Sequence, residues 1–111
     1  MAKKTAPRSK RHIQQASAGS DGLLEVTVVI LEDGYASTAI APIEIFHSAG
    51  VVWNWLNGDA EQSRFKVRTA SIDGRKVKAA GSLSLTPDCA IDDIKHADII
   101  LVAAPGWDVL D

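Results

Sequence analysis

The sequence predicts an α/β protein, an open, mostly parallel sheet with helices on both faces. Two runs of apolar and β-branched residues, Val26–Leu31 and Ala97–Ala104, are typical of strands buried inside a parallel sheet. A helical segment follows the first run, and Phe65–Ser71 alternates apolar with polar residues as a strand near a sheet edge does. The order strand, helix, strand is the unit from which such sheets are built.

The first strand leads through the turn Glu32-Asp33-Gly34 into the predicted helix. Ser37 or Thr38 can cap that helix, and we expect Pro42 in its first turn, where a missing N–H does least harm. Apolar residues follow two stripes, which predicts a helix buried on both sides. One stripe holds Ile40, Ile43, Phe46 and His47, and the other Ala41, Ile45 and Ala49.

The segment after this helix, Val51–Ser63, is predicted as a helix end and an exposed loop. Its Trp53 and Trp55 are two residues apart and cannot share one helical face. We expect at least one indole to cover the edge of the core. An aromatic-lined ligand or dimer surface is the alternative.

Short elements connect Phe65–Ser71 to the last strand. A tight turn at Asp73-Gly74 precedes a short returning strand at Val77–Ala80 and another at Ser82–Thr86. A short helix follows, with acidic residues near its N-terminus and isoleucines as its anchors. The acidic residues are Asp88, Asp92 and Asp93, and the isoleucines are Ile91 and Ile94.

This order of elements is that of a flavodoxin-like sheet, in which ligands bind outside the carboxyl ends of the strands. The loops Glu32–Thr38 and Pro105–Asp108 both lie at that edge. Both loops are therefore candidate positions for a bound ligand.

Composition divides the 111 residues into two parts. Residues 1–22 hold five Lys or Arg against one acid and are predicted to be a disordered basic tail, whereas residues 23–111 hold seven against thirteen. No apolar run reaches membrane-spanning length, and no signal peptide is recognisable. The lone Cys89 excludes an internal disulfide and suits a reducing cytoplasm.

Three segments resemble the ThiJ/PfpI family of the class I glutamine amidotransferase-like superfamily. They are TAIAPIEIF (Thr38–Phe46), FKVRTASIDG (Phe65–Gly74) and ADIILVAAPGW (Ala97–Trp107). The resemblance runs from about Leu24 to Asp111. It is strongest to the branch that forms the N-terminal domain of AraC-family transcription regulators.

The resemblance also implies which catalytic groups are missing. Enzymes of the family carry an acid four positions before the helix proline, and this chain has Thr38 there, which cannot act as an acid or base near neutral pH. Their cysteine nucleophile follows a later strand, in a strand-to-helix elbow that Cys89 does not match. We therefore expect no enzymatic activity.

Four residues become candidate ligand contacts through the same resemblance: Thr38, Glu44, Gly106 and Trp107. Glu44 matches the glutamate of the family's Pro-x-Glu-x-Phe element, and either packs on its helix or lines a pocket. Gly106 matches the first glycine of a Pro-Gly-Gly loop, and Trp107 replaces the second. The three histidines show no metal-ligand spacing, and no phosphate-binding glycine loop is present, so no metal or cofactor is expected.

The sequence thus predicts a ligand-sensing and dimerisation domain of an AraC-type regulator. We expect it to bind an unknown small-molecule effector and to form a homo-oligomer. The helix-turn-helix pair of such regulators, and with it DNA binding, would follow Asp111, so we expect a truncated domain. One alternative is a fragment of a family hydrolase, glyoxalase or amidotransferase. Another is a stand-alone module that dimerises through the Ile40–Phe46 helix.

Overall fold

A computed structural model describes residues 22–106 of the chain. Its strands are β1 (Leu24–Val29), β2 (Phe65–Ser71), β3 (Val77–Lys78), β4 (Ser84–Leu85), β5 (Cys89–Ala90) and β6 (Ile99–Val102). Its α-helices are α1 (Ser37–Ser48) and α2 (Val52–Leu56), and single 3₁₀ turns occupy Ala80–Ser82 and Ile91–Asp93. The predicted α/β class is confirmed.

Four strands form one parallel sheet in the order β5-β2-β1-β6. Val26 on the central strand pairs with Val67 of β2 on one side and with Ile99 of β6 on the other. The predicted adjacency of the two apolar strands is therefore confirmed. The two short strands predicted after Asp73-Gly74 are present in shorter form as β3 and β4, which pair with each other in a separate antiparallel sheet.

The core lies between the sheet and α1. Val26, Val28 and Ile30 are buried with Ala39 of α1, and half-buried side chains of the helix and the sheet pack around them. Phe46 of α1 meets Phe65 of β2 edge to face, with ring centroids 4.8 Å apart.

Only one side of α1 is buried, so the prediction of burial on both sides was wrong. Ile45 is 67% exposed, and Ala41, Glu44 and His47 are exposed with it. Within residues 22–106 no element packs closely on this outer side. Apolar residues on a helix show which faces can be buried, but not whether a partner covers them.

The start of α1 also differs from the prediction. Its N-cap is Ala36, and no side chain caps it. Pro42 is the sixth residue of the helix and not part of its first turn. Because proline has no N–H, the carbonyl of Thr38 lacks the bond that residue 42 would normally donate.

The chain from β5 to β6 crosses the other face of the sheet. Arg68 of β2 donates to the carbonyl of His96 at 2.9 Å and pairs with Glu25 of β1 at 2.7 Å. Asp98 accepts from the backbone N–H of Glu25 at 2.7 Å. These bonds hold the crossover against the sheet, and Thr27 and Val29 are buried on this face.

The predicted short helix of this crossover is only the 3₁₀ turn Ile91–Asp93. Asp88 lies before it and bonds to β2 instead, since its carboxylate accepts from the N–H of Thr69 at 2.8 Å and its own N–H donates to the Thr69 carbonyl at 3.0 Å. A carboxylate that bridges to a neighbouring strand is not available to a helix N-terminus.

The prediction that β6 is buried on both faces was wrong as well. Ile99 and Leu101 pack toward α1 and the core, but Ile100 and Val102 are 62% and 64% exposed on the crossover face. The crossover joins β6 at its first residue, so it does not extend over this part of the strand. Of the two apolar strands, β1 is therefore buried on both faces within residues 22–106, whereas β6 is not.

Helix α2 lies in an excursion between Gly50 and Gln62, closed at its base by the Gln62 N–H donating to the Gly50 carbonyl at 2.7 Å. Trp53 and Trp55 are 69% and 66% exposed. The prediction that at least one indole covers the edge of the core was therefore wrong. The alternative, an aromatic surface for a ligand or partner, stays a prediction.

Candidate functional site

The carboxyl ends of the parallel strands form the candidate site. The chain leaves β1 toward β2 on one side and later returns to β6 on the other. In open α/β sheets the crevice at such a reversal is where ligands bind. Here the crevice lies between the loop that follows β1 and the loop that follows β6.

Thr38 connects these two loops. Its hydroxyl donates to the carbonyl of Tyr35 at 2.7 Å and accepts from the backbone N–H of Ala104 at 2.8 Å. The Tyr35 N–H in turn donates to the Ala104 carbonyl at 3.1 Å. The hydroxyl proton and an acceptor position of Thr38 are therefore already used within the protein.

Two glycines allow the loops to touch. A Cβ added to Gly34 would lie 2.6 Å from the Ala104 carbonyl oxygen, and one added to Gly106 would lie 2.3 Å from that of Asp33. Such distances leave no room for a side chain. The space that remains beneath the loops is a cavity of about 10 Å³, lined in part by Tyr35, Ala39 and Ala103, which has room for one water at most.

A larger groove lies beside it, at the carboxyl ends of β1 and β2. Its volume is about 250 Å³. Its lining includes the acidic residues Glu32 and Asp73, the buried Ser71 and the apolar Ile72 and Val77, and it includes no lysine, arginine or histidine.

Both carboxylates of the groove already accept one backbone hydrogen bond. Glu32 accepts from the Lys78 N–H at 3.4 Å, and Asp73 accepts from the Arg75 N–H at 2.9 Å. Each therefore keeps acceptor capacity for a ligand.

Sequence reasoning missed this second groove. It considered the loops after the first and last strands, but the end of β2 lies at the same edge of a parallel sheet. Asp73, two residues after the strand, was interpreted only as a turn residue. Ligands of open α/β sheets bind outside the carboxyl ends of the strands, and applying this rule to β2 as well would have identified the groove.

The structure brings together two of the four predicted ligand contacts. Thr38 and Gly106 lie on the two loops that meet at the carboxyl edge. Glu44 lies further along α1, about 9 Å along the helix axis from Thr38, and is exposed. Trp107 lies outside the described residues. Ligand binding by these residues stays a prediction.

The surroundings of Cys89 do not resemble those of a cysteine nucleophile. It is half-buried in the two-residue strand β5, and its thiol lies 3.8 Å from the carbonyl of Thr69. No histidine or carboxylate hydrogen-bonds it within residues 22–106. A cysteine nucleophile needs such a base or another means of forming its thiolate.

A cluster of charged side chains lies at the opposite edge of the sheet. Besides the Glu25–Arg68 pair, His96 contacts the Asp98 carboxylate at 3.1 Å. These groups bind one another and hold the crossover, so their role is structural. In the described part of the chain no group of three His, Cys, Asp or Glu side chains is placed to hold a metal ion.

Comparison with known proteins relates the chain to a solved structure. No family model matches the chain, and no curated protein does. Among solved structures the chain is similar to the crystal structure of an AraC family transcriptional regulator from Pseudomonas putida, with 19% identity and a TM-score of 0.49. The match covers 74% of this chain and 47% of the other, so the chain spans about half of that protein's length. In residues 22–106 no helix has the length and apolar character to cross a membrane.

Proposed function

We propose that this chain is a non-catalytic, ligand-sensing and self-associating domain of an AraC-type transcription regulator. The observation that carries the proposal is the position of Thr38. It stands where the resembling enzymes need an acid, and its hydroxyl is bonded to Tyr35 and Ala104 at 2.7 and 2.8 Å. A hydroxyl held in this way stabilises the site and has no proton to exchange with a substrate.

The groove between β1 and β2 is the proposed effector site. Its volume of about 250 Å³ suits a small metabolite more than a drug-sized ligand. Because Glu32 and Asp73 line it without a cation, it favours a cationic or neutral hydroxylated ligand over an anionic one. The two loops that Thr38 connects lie beside this groove. An effector bound in the groove would therefore contact the same edge of the sheet as these loops.

Charge preference in the groove is tested by NMR with a matched pair of probes, butylamine and butyrate. Butylamine is expected to shift the backbone amides around Glu32 and Asp73, and butyrate is expected not to. Asp73→Asn should weaken the response to the amine, while Asp59→Asn, an exposed acid outside the groove, should not. Equal responses to the two probes, or shifts confined to other residues, would contradict the proposed site.

The rival function is that of an enzyme fragment. Hydrolase, glyoxalase and amidotransferase assays on the full chain are expected to show no turnover above buffer. The Cys89→Ser variant is the control, because turnover that this substitution abolishes would favour the rival and reject the non-catalytic proposal.

DNA binding is proposed to reside in a region outside these 111 residues. The basic tail, with five Lys or Arg, would contact phosphates only, and such contacts carry no sequence information. A mobility-shift titration at about 0.15 M salt compares the full chain with one that lacks residues 1–22. Sequence-selective binding that survives this deletion would contradict the proposal.

A further inference from the structure

The turn Glu32–Tyr35 (the β1 turn) lies between the groove and the loop that follows β6. On the groove side, the Asp33 N–H donates to the Lys78 carbonyl at 2.7 Å, and the Lys78 N–H donates to the Glu32 carboxylate at 3.4 Å. Both Glu32 and Val77, the residue before Lys78 in β3, line the groove. The β1 turn is therefore bonded to a wall of the groove and forms part of that wall.

The other side of the β1 turn is bonded to the loop after β6. The Tyr35 N–H donates to the Ala104 carbonyl at 3.1 Å, and the Thr38 hydroxyl connects the Tyr35 carbonyl to the Ala104 N–H. A Cβ added to Gly106 would lie 2.3 Å from the Asp33 carbonyl oxygen, so the two loops are in direct contact. One short turn thus contacts both the groove wall and the segment by which the chain leaves the sheet.

The backbone of the β1 turn is strained at Asp33. Its φ is +59°, in the left-handed region that residues other than glycine rarely adopt. Such a conformation persists only when the surrounding contacts hold it. Those contacts come from Lys78 on one side and from the loop after β6 on the other. Releasing one side allows Asp33 to relax to a negative φ, which moves the neighbouring Glu32 in the groove. The turn therefore has a held and a released arrangement.

We propose that the β1 turn couples the groove to the loop after β6, so that a cationic ligand in the groove stabilises the contacts between Tyr35, Thr38 and Ala104. The ligand binds the held arrangement, in which Glu32 is in place, and so shifts the population toward it. The coupling is reciprocal, and loss of the Ala104 contacts weakens the ligand by the same factor. An effector would thus act beyond its own groove. This inference rests on the proposed effector site and describes its regulation.

NMR titration of the full chain with butylamine tests the reciprocal effect. Thr38→Val removes the hydroxyl that accepts from the Ala104 N–H, and it should raise the dissociation constant of butylamine about fivefold or more. Thr69→Val is the matched control: its hydroxyl accepts from the Asp88 N–H at 3.0 Å, and Thr69 belongs neither to the groove lining nor to the β1 turn. The control should bind butylamine as the wild type does.

The titration separates the coupling from the site itself. Equal dissociation constants for the wild type, Thr38→Val and Thr69→Val would reject the coupling and leave the effector site standing. An equal loss of affinity in both variants would also reject the coupling, because the loss would not depend on the β1 turn. A wild type that does not respond to butylamine would reject the effector site and the coupling together.

Hydrogen exchange of the wild type tests the forward effect and requires no variant to fold. Saturating butylamine should slow exchange of the Tyr35 and Ala104 amides several-fold, because it stabilises the held turn. The Asp88 amide, which bonds to Thr69 away from the turn, is the internal reference and should slow less. Butyrate should change none of the three. Unchanged exchange at Tyr35 and Ala104 with butylamine bound, or equal slowing of all three amides, would reject the coupling.

Discussion

Thr38 and Ala104 are 66 residues apart in the chain and are joined by a hydrogen bond of 2.8 Å from the Ala104 N–H to the Thr38 hydroxyl. This bond links the first turn of α1 to the chain that leaves β6. It makes the first helix and the last strand one unit at the carboxyl edge of the sheet. The stability of that edge therefore depends in part on this hydroxyl, beside the bond from the Tyr35 N–H to the Ala104 carbonyl.

Replacing Thr38 with valine keeps the shape of the side chain and removes the hydroxyl. The Ala104 N–H then loses its partner, and the free energy of unfolding should fall by about 1 to 2 kcal/mol. Urea denaturation measures the change. Thr38→Ser, which keeps the oxygen, should retain most of the stability, and Ser37→Ala should have little effect because no side chain caps α1. A Thr38→Val protein as stable as the wild type would contradict the assigned role.

Gly34→Ala tests the contact between the two loops. The new Cβ would meet the Ala104 carbonyl oxygen at 2.6 Å, so the loops must separate, at a cost of about 1 to 3 kcal/mol. The Tyr35 N–H, which donates to the same carbonyl, should exchange faster with solvent.

Gly58→Ala is the control for the glycine substitution. Gly58 has a φ of +74° and no atom within 4 Å of an added Cβ, so it shows the cost of backbone strain without a clash. Faster exchange at Tyr35 in Gly58→Ala would contradict the local explanation.

Arg68 holds the crossover to the sheet through Glu25 and the His96 carbonyl. Arg68→Met should lower the free energy of unfolding by about 1 to 3 kcal/mol, because it leaves a partly buried carboxylate without its donor. Hydrogen exchange between residues 91 and 98 should accelerate. Lys66→Met removes an exposed cation from the same strand and should change neither quantity; equal effects of the two substitutions would contradict this role for Arg68.

For the exposed tryptophans we expect substitution to cause almost no loss of stability. Replacing Trp53 and Trp55 together with glutamine should leave the free energy of unfolding within about 0.5 kcal/mol of wild type for each substitution, because neither indole is buried. Chemical denaturation measures this. A large loss would show that the indoles contact the core, contrary to their exposure.

The sequence predicted best what depends on apolar pattern alone. Val26–Leu31 is apolar on both faces, and a strand of that kind has to lie inside a sheet, which fixes β1 at the centre with β6 beside it. The same logic brought Thr38 and Gly106 to one edge, since parallel strands end together.

The burial predictions that were wrong depend on which elements cover a surface. Ile45 and Ile100 are as apolar as Ile43 and Ile99, yet they face outward, because the chain has no described element over them. Pattern shows which residues can be buried and not which neighbours are present. The short strands β3 and β4 were predicted, but each is only two residues long, so the apolar pattern was too short to define their bounds.

The excursion between Gly50 and Gln62 begins and ends at the same place. The Gln62 N–H donates to the Gly50 carbonyl and closes the excursion. Two residues later, the Arg64 carbonyl accepts from the Leu24 N–H at 3.2 Å, so pairing between β1 and β2 begins directly after the excursion ends. Doubling the length of a loop whose ends already meet costs only about 0.6 kcal/mol in closure entropy. This part of the chain can therefore lengthen, shorten or change sequence without altering the register of the strands. It is the natural point to graft a fluorophore or a foreign recognition peptide onto the domain.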